Sequence, residues 1–226
     1  MDLKSLEKTI EKEARAENIL RLIISYKNQI LLAILGLLII SALIVFLQHR
    51  KLQKIELSSL KYLEAYNKIE LLPYSLSNKK DEAQLKQIAE TKANLVDLTQ
   101  NGKGVFISLS FLELANLAIK EENYEEAIKY LETLRKTAEV SAIKDLAGLK
   151  LASLYLKSEK QAGAKKILIN LAKKSEFFAT SNELLASIYL KEGNKEGAVK
   201  LIEELIASDY TPSATKIRAK KILYSL

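Results

Sequence analysis

No cysteine occurs in the 226 residues, which removes thiolate metal sites, cysteine nucleophiles and any disulfide framework. A single histidine, His49, removes most histidine-based catalysis and histidine metal clusters. Two prolines and seven glycines are too few for a strand-rich fold punctuated by turns, and no glycine-rich phosphate loop is present. What remains is 48% hydrophobic and 28% charged, dominated by Leu, Ile, Ala, Lys and Glu, a composition that points to helices. Lys and Arg outnumber Asp and Glu by 35 to 28, a net charge of +7. The length allows one medium domain, or a small one plus additions, with a sizeable core.

From Ile30 to Leu47 the chain reads ILLAILGLLIISALIVFL, and no charged residue lies between Lys27 and Arg50. As a helix this run covers about 27 Å, close to a hydrocarbon core of about 30 Å. It lacks the polar face that a soluble core helix shows. A cleaved signal peptide fits poorly, because a long polar stretch precedes the run and Phe46 to Arg50 offers no small-x-small cleavage site. The expectation is a transmembrane helix over 28–49. Lys12, Arg15, Arg21 and Lys27 flank it on one side, and Arg50, Lys51, Lys54 and Lys61 on the other. That tie favours neither orientation. His49 reads as an interfacial side chain reaching lipid headgroups. In the 1–27 tail, Leu3, Leu6, Ile10 and Ala14 recur at three- and four-residue steps, the pattern of a short amphipathic helix.

The rest of the chain repeats itself. Leu151 to Lys157 reads LASLYLK and Leu185 to Lys191 reads LASIYLK, 34 residues later. The same offset carries Gly163-Ala164 onto Gly197-Ala198, Leu168 onto Ile202 and Leu171 onto Leu205. A third copy lies 37 residues upstream, with Leu114-Ala115, Ala127, Leu131 and Leu134. Its extra residues fall between helices near Ala138 to Ile143, where loops absorb them cheaply. Thirty-four residues is the period of the tetratricopeptide repeat, a pair of helices. Each copy places two alanines where those helices cross closely: Ala115 and Ala127, Ala152 and Ala164, Ala186 and Ala198. Repeat two departs from the pattern, with Gly148 where an aromatic is usual and Glu159 where a turn glycine is usual.

The reading is therefore all-α: one transmembrane helix, then a tetratricopeptide-repeat-like α-solenoid of helix pairs with a C-terminal capping helix. Residues 50–107 form a linker helix and a degenerate capping pair, broken at Pro73-Tyr74-Ser75 and Ser77-Asn78. Three repeats occupy 108–210, and the capping helix occupies 211–226. In such a stack the first helix of each pair lines a groove. By register, the expected groove residues are Leu112, Asn116, Ile119 and Lys120, then Leu149, Ser153, Leu156 and Lys157, then Glu183, Ser187, Leu190 and Lys191. One lysine per repeat forms a ladder suited to carboxylates or to the backbone carbonyls of an unfolded or extended peptide. The competing reading is that each lysine closes its own helix C-terminus against the helix dipole.

No catalytic residue, cofactor site or metal site is expected, since no nucleophile–base pair, metal spacing or phosphate loop is found. Residues 151–226 carry 13 basic and 8 acidic groups, an end suited to anionic membrane lipid or an acidic partner. Nucleic acid is disfavoured, because no aromatic residues interleave with the lysines. The plan of tail, single span, helical link and small repeat domain, with LEAYNKIE after the span, NYEEAI in repeat one and LASLYLK in repeat two, resembles the bacterial ancillary SecYEG translocon subunit family (YfgM type). That resemblance implies a single-pass protein of the inner membrane, with its N-terminus cytoplasmic and its C-terminal domain periplasmic. It also implies the SecYEG translocon and a periplasmic chaperone of the PpiD type as partners, and no catalytic residue to carry over. The alternative is a cytosol-facing adaptor that recruits a soluble partner to the membrane, as in envelope assembly or division.

Overall fold

A computed structural model of the chain describes residues 3–72, 82–173 and 176–226, and among these every regular element is a helix. The chain divides into two compact units, Met1–Gln53 and Lys54–Leu226. Helix α1 (Leu3–Glu70) supplies the first unit and, from Lys54 onward, the first helix of the second.

In the first unit, α1 is long and apolar enough to cross a membrane, and none of its apolar stretch is buried inside the protein. Leu37, Leu38, Ile39 and Ile40 are each more than half exposed. The one hydroxyl in this stretch is satisfied within the helix: Ser41 Oγ donates to Leu38 O at 2.8 Å. The side chains of Leu3, Leu6, Ile10 and Ala14 lie outside the described residues.

The second unit continues with α2 (Glu82–Asn101), α3 (Val105–Lys120), α4 (Tyr124–Thr137), α5 (Ser141–Lys157), α6 (Gln161–Leu171), α7 (Phe178–Lys191), α8 (Lys195–Ala207) and α9 (Ser213–Leu223). From α2 to α9 each helix packs on the next in sequence, and α3–α4, α5–α6 and α7–α8 are the three repeats. The expected breaks at Pro73 to Ser75 and Ser77-Asn78 lie outside the described residues. Before them, Ser58, Ala65 and Ile69 of α1 keep the spacing of Ser108, Ala115 and Ile119 of α3. Ala65 and Ile69 are buried with Leu95, Leu98 and Leu114, so α1, α2 and α3 share a core cluster.

The main core runs through α3 to α7 and includes Leu131, Leu134, Leu151 and Leu168, all at most 1% exposed. All six alanines of the repeat pattern are buried to 4% exposure or less. Where helices approach this closely, only a small side chain fits between them at crystal-like packing density. A further compensation sits at the start of each second helix. In repeats two and three, a Cβ added at Gly163 or Gly197 would lie 2.9 Å from the Tyr155 or Tyr189 ring. In repeat one the same register holds Ala118 and Glu126, so the small residue sits on the first helix and the large one on the second. At Gly148 the space of the missing aromatic is shared by Arg135, whose Nε would lie 3.3 Å from an added Cβ.

The turns inside the repeats differ in quality. Glu122, Glu159 and Gly193 share one register and all have positive φ, 60°, 59° and 76°. For a residue with a Cβ that conformation costs about 1 kcal/mol, and glycine is spared it. The next residue caps the second helix: Asn123 accepts from the Glu126 amide, and Asn194 from the Gly197 amide at 2.9 Å. Lys160 in repeat two gives no side-chain cap. Rebuilding the second turn on the third, as Glu159→Gly with Lys160→Asn, should add about 2 kcal/mol. Thermal melting followed by circular dichroism should rise by roughly 5 °C.

Charge joins α2 to α4. Lys92 Nζ lies 2.9 Å from Glu126 Oε1, and the Tyr130 hydroxyl donates to the same oxygen at 3.0 Å. Burial alone would raise the Glu126 carboxyl, but the hydrogen bonds from Lys92 and Tyr130 and the charges of Lys92 and Lys129 outweigh it and hold the group below its ordinary value. A carboxyl depressed in the folded state stabilises the fold above its unfolded pKa, and that contribution is lost as pH falls through the folded value. The melting temperature of the natural chain should therefore fall as pH drops from 5 to 3. Glu126→Gln should melt lower at pH 7 and lose less over that interval.

Candidate peptide-binding face

The first helices α3, α5 and α7 carry all twelve expected groove residues, and their positions differ from repeat to repeat. Leu112 is buried in the main core, and Ile119 and Leu149 pack half-buried against it. Leu190 is half-buried and borders a small cavity with Leu205, Ala219 and Ile222. Ser153 and Ser187 are exposed, and each hydroxyl donates to a carbonyl of its own helix, Leu149 O and Glu183 O, at 3.0 Å.

The polar positions join successive first helices. Asn116 Nδ2 donates to Glu113 Oε2 at 3.1 Å, and its Oδ1 accepts from Lys150 Nζ at 3.1 Å. The Tyr62 hydroxyl of α1 donates to the other Glu113 oxygen at 3.4 Å. Burial first, and then the Glu113 carboxylate, push the Tyr62 hydroxyl well above its usual range. At the far end Glu183 takes a two-pronged contact from Arg218 of α9, at 2.8 and 2.9 Å. Tyr62, Glu113, Lys150 and Arg218 were not among the residues expected from the sequence. Glu113, Lys150, Leu184 and Arg218 nevertheless recur at offsets of 37, 34 and 34, a column visible once the repeats are aligned.

The three ladder lysines have three different environments. Lys120 Nζ donates to Ile69 O at 2.9 Å and Leu72 O at 3.0 Å, closing the C-terminus of α1 rather than of its own helix. Lys157 Nζ contacts the Tyr124 hydroxyl and stands 4.3 Å from the centre of that ring. Lys191 is exposed, and among the described residues it makes no hydrogen bond or ion pair. It borders a cleft of about 380 Å³ with Leu156, Glu159, Gln161, Ser187 and Ile188. Leu156, Ser187 and Lys191, expected as groove residues in repeats two and three, thus meet in one concavity.

The model of a tetratricopeptide repeat-like domain matches residues 24–215. No curated protein and no solved structure matches the chain. Among the described residues no cluster of His, Asp or Glu is placed to hold a metal ion. Domains of this repeat type are typically non-catalytic modules for protein–protein interaction. Three helix pairs with small residues at each crossing, a fourth helix end stacked on α3 and a family match over most of the sequence agree: the chain belongs to the tetratricopeptide repeat-like domain family.

Proposed function

We propose that this protein is a non-enzymatic, membrane-anchored interaction protein that works as an accessory subunit of the SecYEG translocon. The observation that carries the reading is an unburied apolar helix joined to a tetratricopeptide-like domain in one chain. An anchor confines the repeat domain to a thin layer at the membrane surface, which raises its effective concentration toward chains emerging there. The domain then offers extended segments a weak site on its first helices, in company with a periplasmic chaperone of the PpiD type. In this reading the N-terminus is cytoplasmic and the repeat domain periplasmic. Extraction in mild detergent should bring SecY down with the protein. A C-terminal alkaline phosphatase fusion should be active, and a C-terminal green fluorescent fusion dark. Absence of SecY from every extraction removes the translocon assignment. The opposite pattern of reporters makes the protein a cytosol-facing adaptor.

A further inference from the structure

The corner between α1 and the C-terminus of α2 has a counterpart in repeat one, because α1 and α3 share a register at an offset of 50. In repeat one the corner is nearly filled. A cavity of about 70 Å³ remains, with Gly104, Ile107 and Ser108 on one side and the acid Glu139 on the other. In the α1–α2 pair Lys54, Leu57 and Ser58 take the places of Gly104, Ile107 and Ser108, and the cavity opens to about 430 Å³. That volume lies within the range of small-ligand sites. All of its lining belongs to the second unit.

The enlarged corner is basic and held in shape. Lys54, Lys61 and Lys103 line it against one acid, Asp97. That acid is already engaged: Lys61 Nζ donates to its Oδ2 at 3.0 Å, and Asn101 Nδ2 donates to its Oδ1 at 2.8 Å. The Lys54 and Lys103 ammonium groups make no hydrogen bond or ion pair among the described residues. One buried hydroxyl ties their backbones together: Ser58 Oγ donates to Lys54 O at 2.8 Å and accepts from the Lys103 amide at 3.1 Å. Gly102 holds the turn close against α2, where an added Cβ would stand 2.3 Å from Leu98 O. Two free ammonium groups on a fixed frame, with the one carboxylate of the wall taken, suit an anion.

The surroundings narrow which anion. Leu57 is 56% exposed and lines the same cavity, an apolar surface for which inorganic phosphate has no use. Lys54 follows Leu47, the end of the apolar run, by seven residues. The chain therefore keeps the two within about 25 Å of each other whatever its path. A phosphate joined to hydrocarbon uses both the lysines and the leucine. We propose that this corner binds the headgroup phosphate of an anionic phospholipid, with Lys54 and Lys103 donating to the phosphate and Leu57 resting against the glycerol and the first acyl carbons. The inference rests on the membrane-anchored reading above and adds to it a site selective for lipid charge.

The test is native mass spectrometry of the full chain in detergent micelles, with phosphatidylglycerol or phosphatidylcholine added. The natural chain should hold phosphatidylglycerol more tightly than phosphatidylcholine. Lys54→Ala and Lys103→Ala should each weaken the phosphatidylglycerol complex about fivefold, and together about 25-fold. Both lysines are exposed, so these variants should melt with the natural chain. Asp97→Asn removes the acid and frees Lys61, and should tighten the complex about fivefold. Lys220→Ala with Lys221→Ala removes the same charge from exposed positions on α9, in the basic C-terminal stretch, and should change it less than twofold. The proposal is overturned if the two lipids are held equally, if the Lys54 and Lys103 double variant binds as the natural chain does, or if the α9 pair loses as much. It is equally overturned if inorganic phosphate at matched ionic strength displaces phosphatidylglycerol, for then the site takes a free anion. Carbonate-resistant pelleting of the Lys54 and Lys103 double variant leaves the anchored reading standing whatever the corner binds.

Discussion

Leu38→Arg combined with Ile44→Arg should release the chain from membranes, whereas either substitution alone should not. Both residues lie in the unburied apolar stretch of α1, at 60% and 50% exposure. Fourteen of the 18 residues from Ile30 to Leu47 are Leu, Ile, Val or Phe. At about 0.4 kcal/mol each, their insertion is worth roughly 6 kcal/mol. One arginine near the middle costs about 3 kcal/mol and removes a favourable residue, which leaves the balance on the side of insertion. Two together reach about 7 kcal/mol and tip it. Carbonate washing of membranes followed by immunoblotting checks this: the single variants should stay in the pellet and the double variant should not. If the double variant pellets as firmly as the natural chain, α1 is not the anchor. The repeat domain should be indifferent to the change, so the released protein should keep its helical circular dichroism.

The outline of this molecule was legible in the sequence because its signals are local. An 18-residue run without a charge needs no tertiary context to be read, and neither do Leu-Ala pairs spaced 34 residues apart. Burial of all six repeat alanines follows from the same spacing. The fate of the lysine ladder was not legible. Lys120 is held by carbonyls of residues 48 and 51 positions upstream. A backbone carbonyl has no side-chain identity, so no residue type marks it in advance. The short-range reading, in which each lysine closes its own helix, uses only neighbours in sequence, and in the structure Lys120 closes a different helix. The Glu183–Arg218 contact was missed for a related reason. In the sequence Arg218 is one of four basic residues in the last helix, with Lys216, Lys220 and Lys221, and only the register of α9 makes it the next member of the Glu113 column. Long-range pairing in a repeat protein is readable only after the last, imperfect copy has been aligned with the others.

The repeat interior predicts a large effect that separates position from mere apolarity. Ala164 and Leu168 stand one turn apart on α6, both with no exposed surface. Ala164→Leu should lose about 2–3 kcal/mol, because a close-packed crossing cannot admit three more carbons without moving a backbone. Leu168→Ala should lose about 3–4 kcal/mol through the lost transfer energy and the cavity left behind. The double variant has the same composition and the same summed side-chain volume as the natural chain. If the core asked only for enough apolar material near α6, the two changes would compensate. If it asks for a small residue at the crossing and a large one a turn later, the losses add to about 6 kcal/mol, a large part of a domain's whole stability. A crossing that admits only a small side chain requires the second result. The damage should also spread, since repeats two and three share one core from α3 to α7 and neighbours in such a stack support one another. Urea titration of the full chain in detergent, followed by helical circular dichroism, should show each single variant unfolding at lower urea and the double variant unfolded at the outset. A double variant as stable as either single one would mean that α6 can slide to exchange the two sites. The shared crossing of Ala152 and Ala164 would then not define the fold.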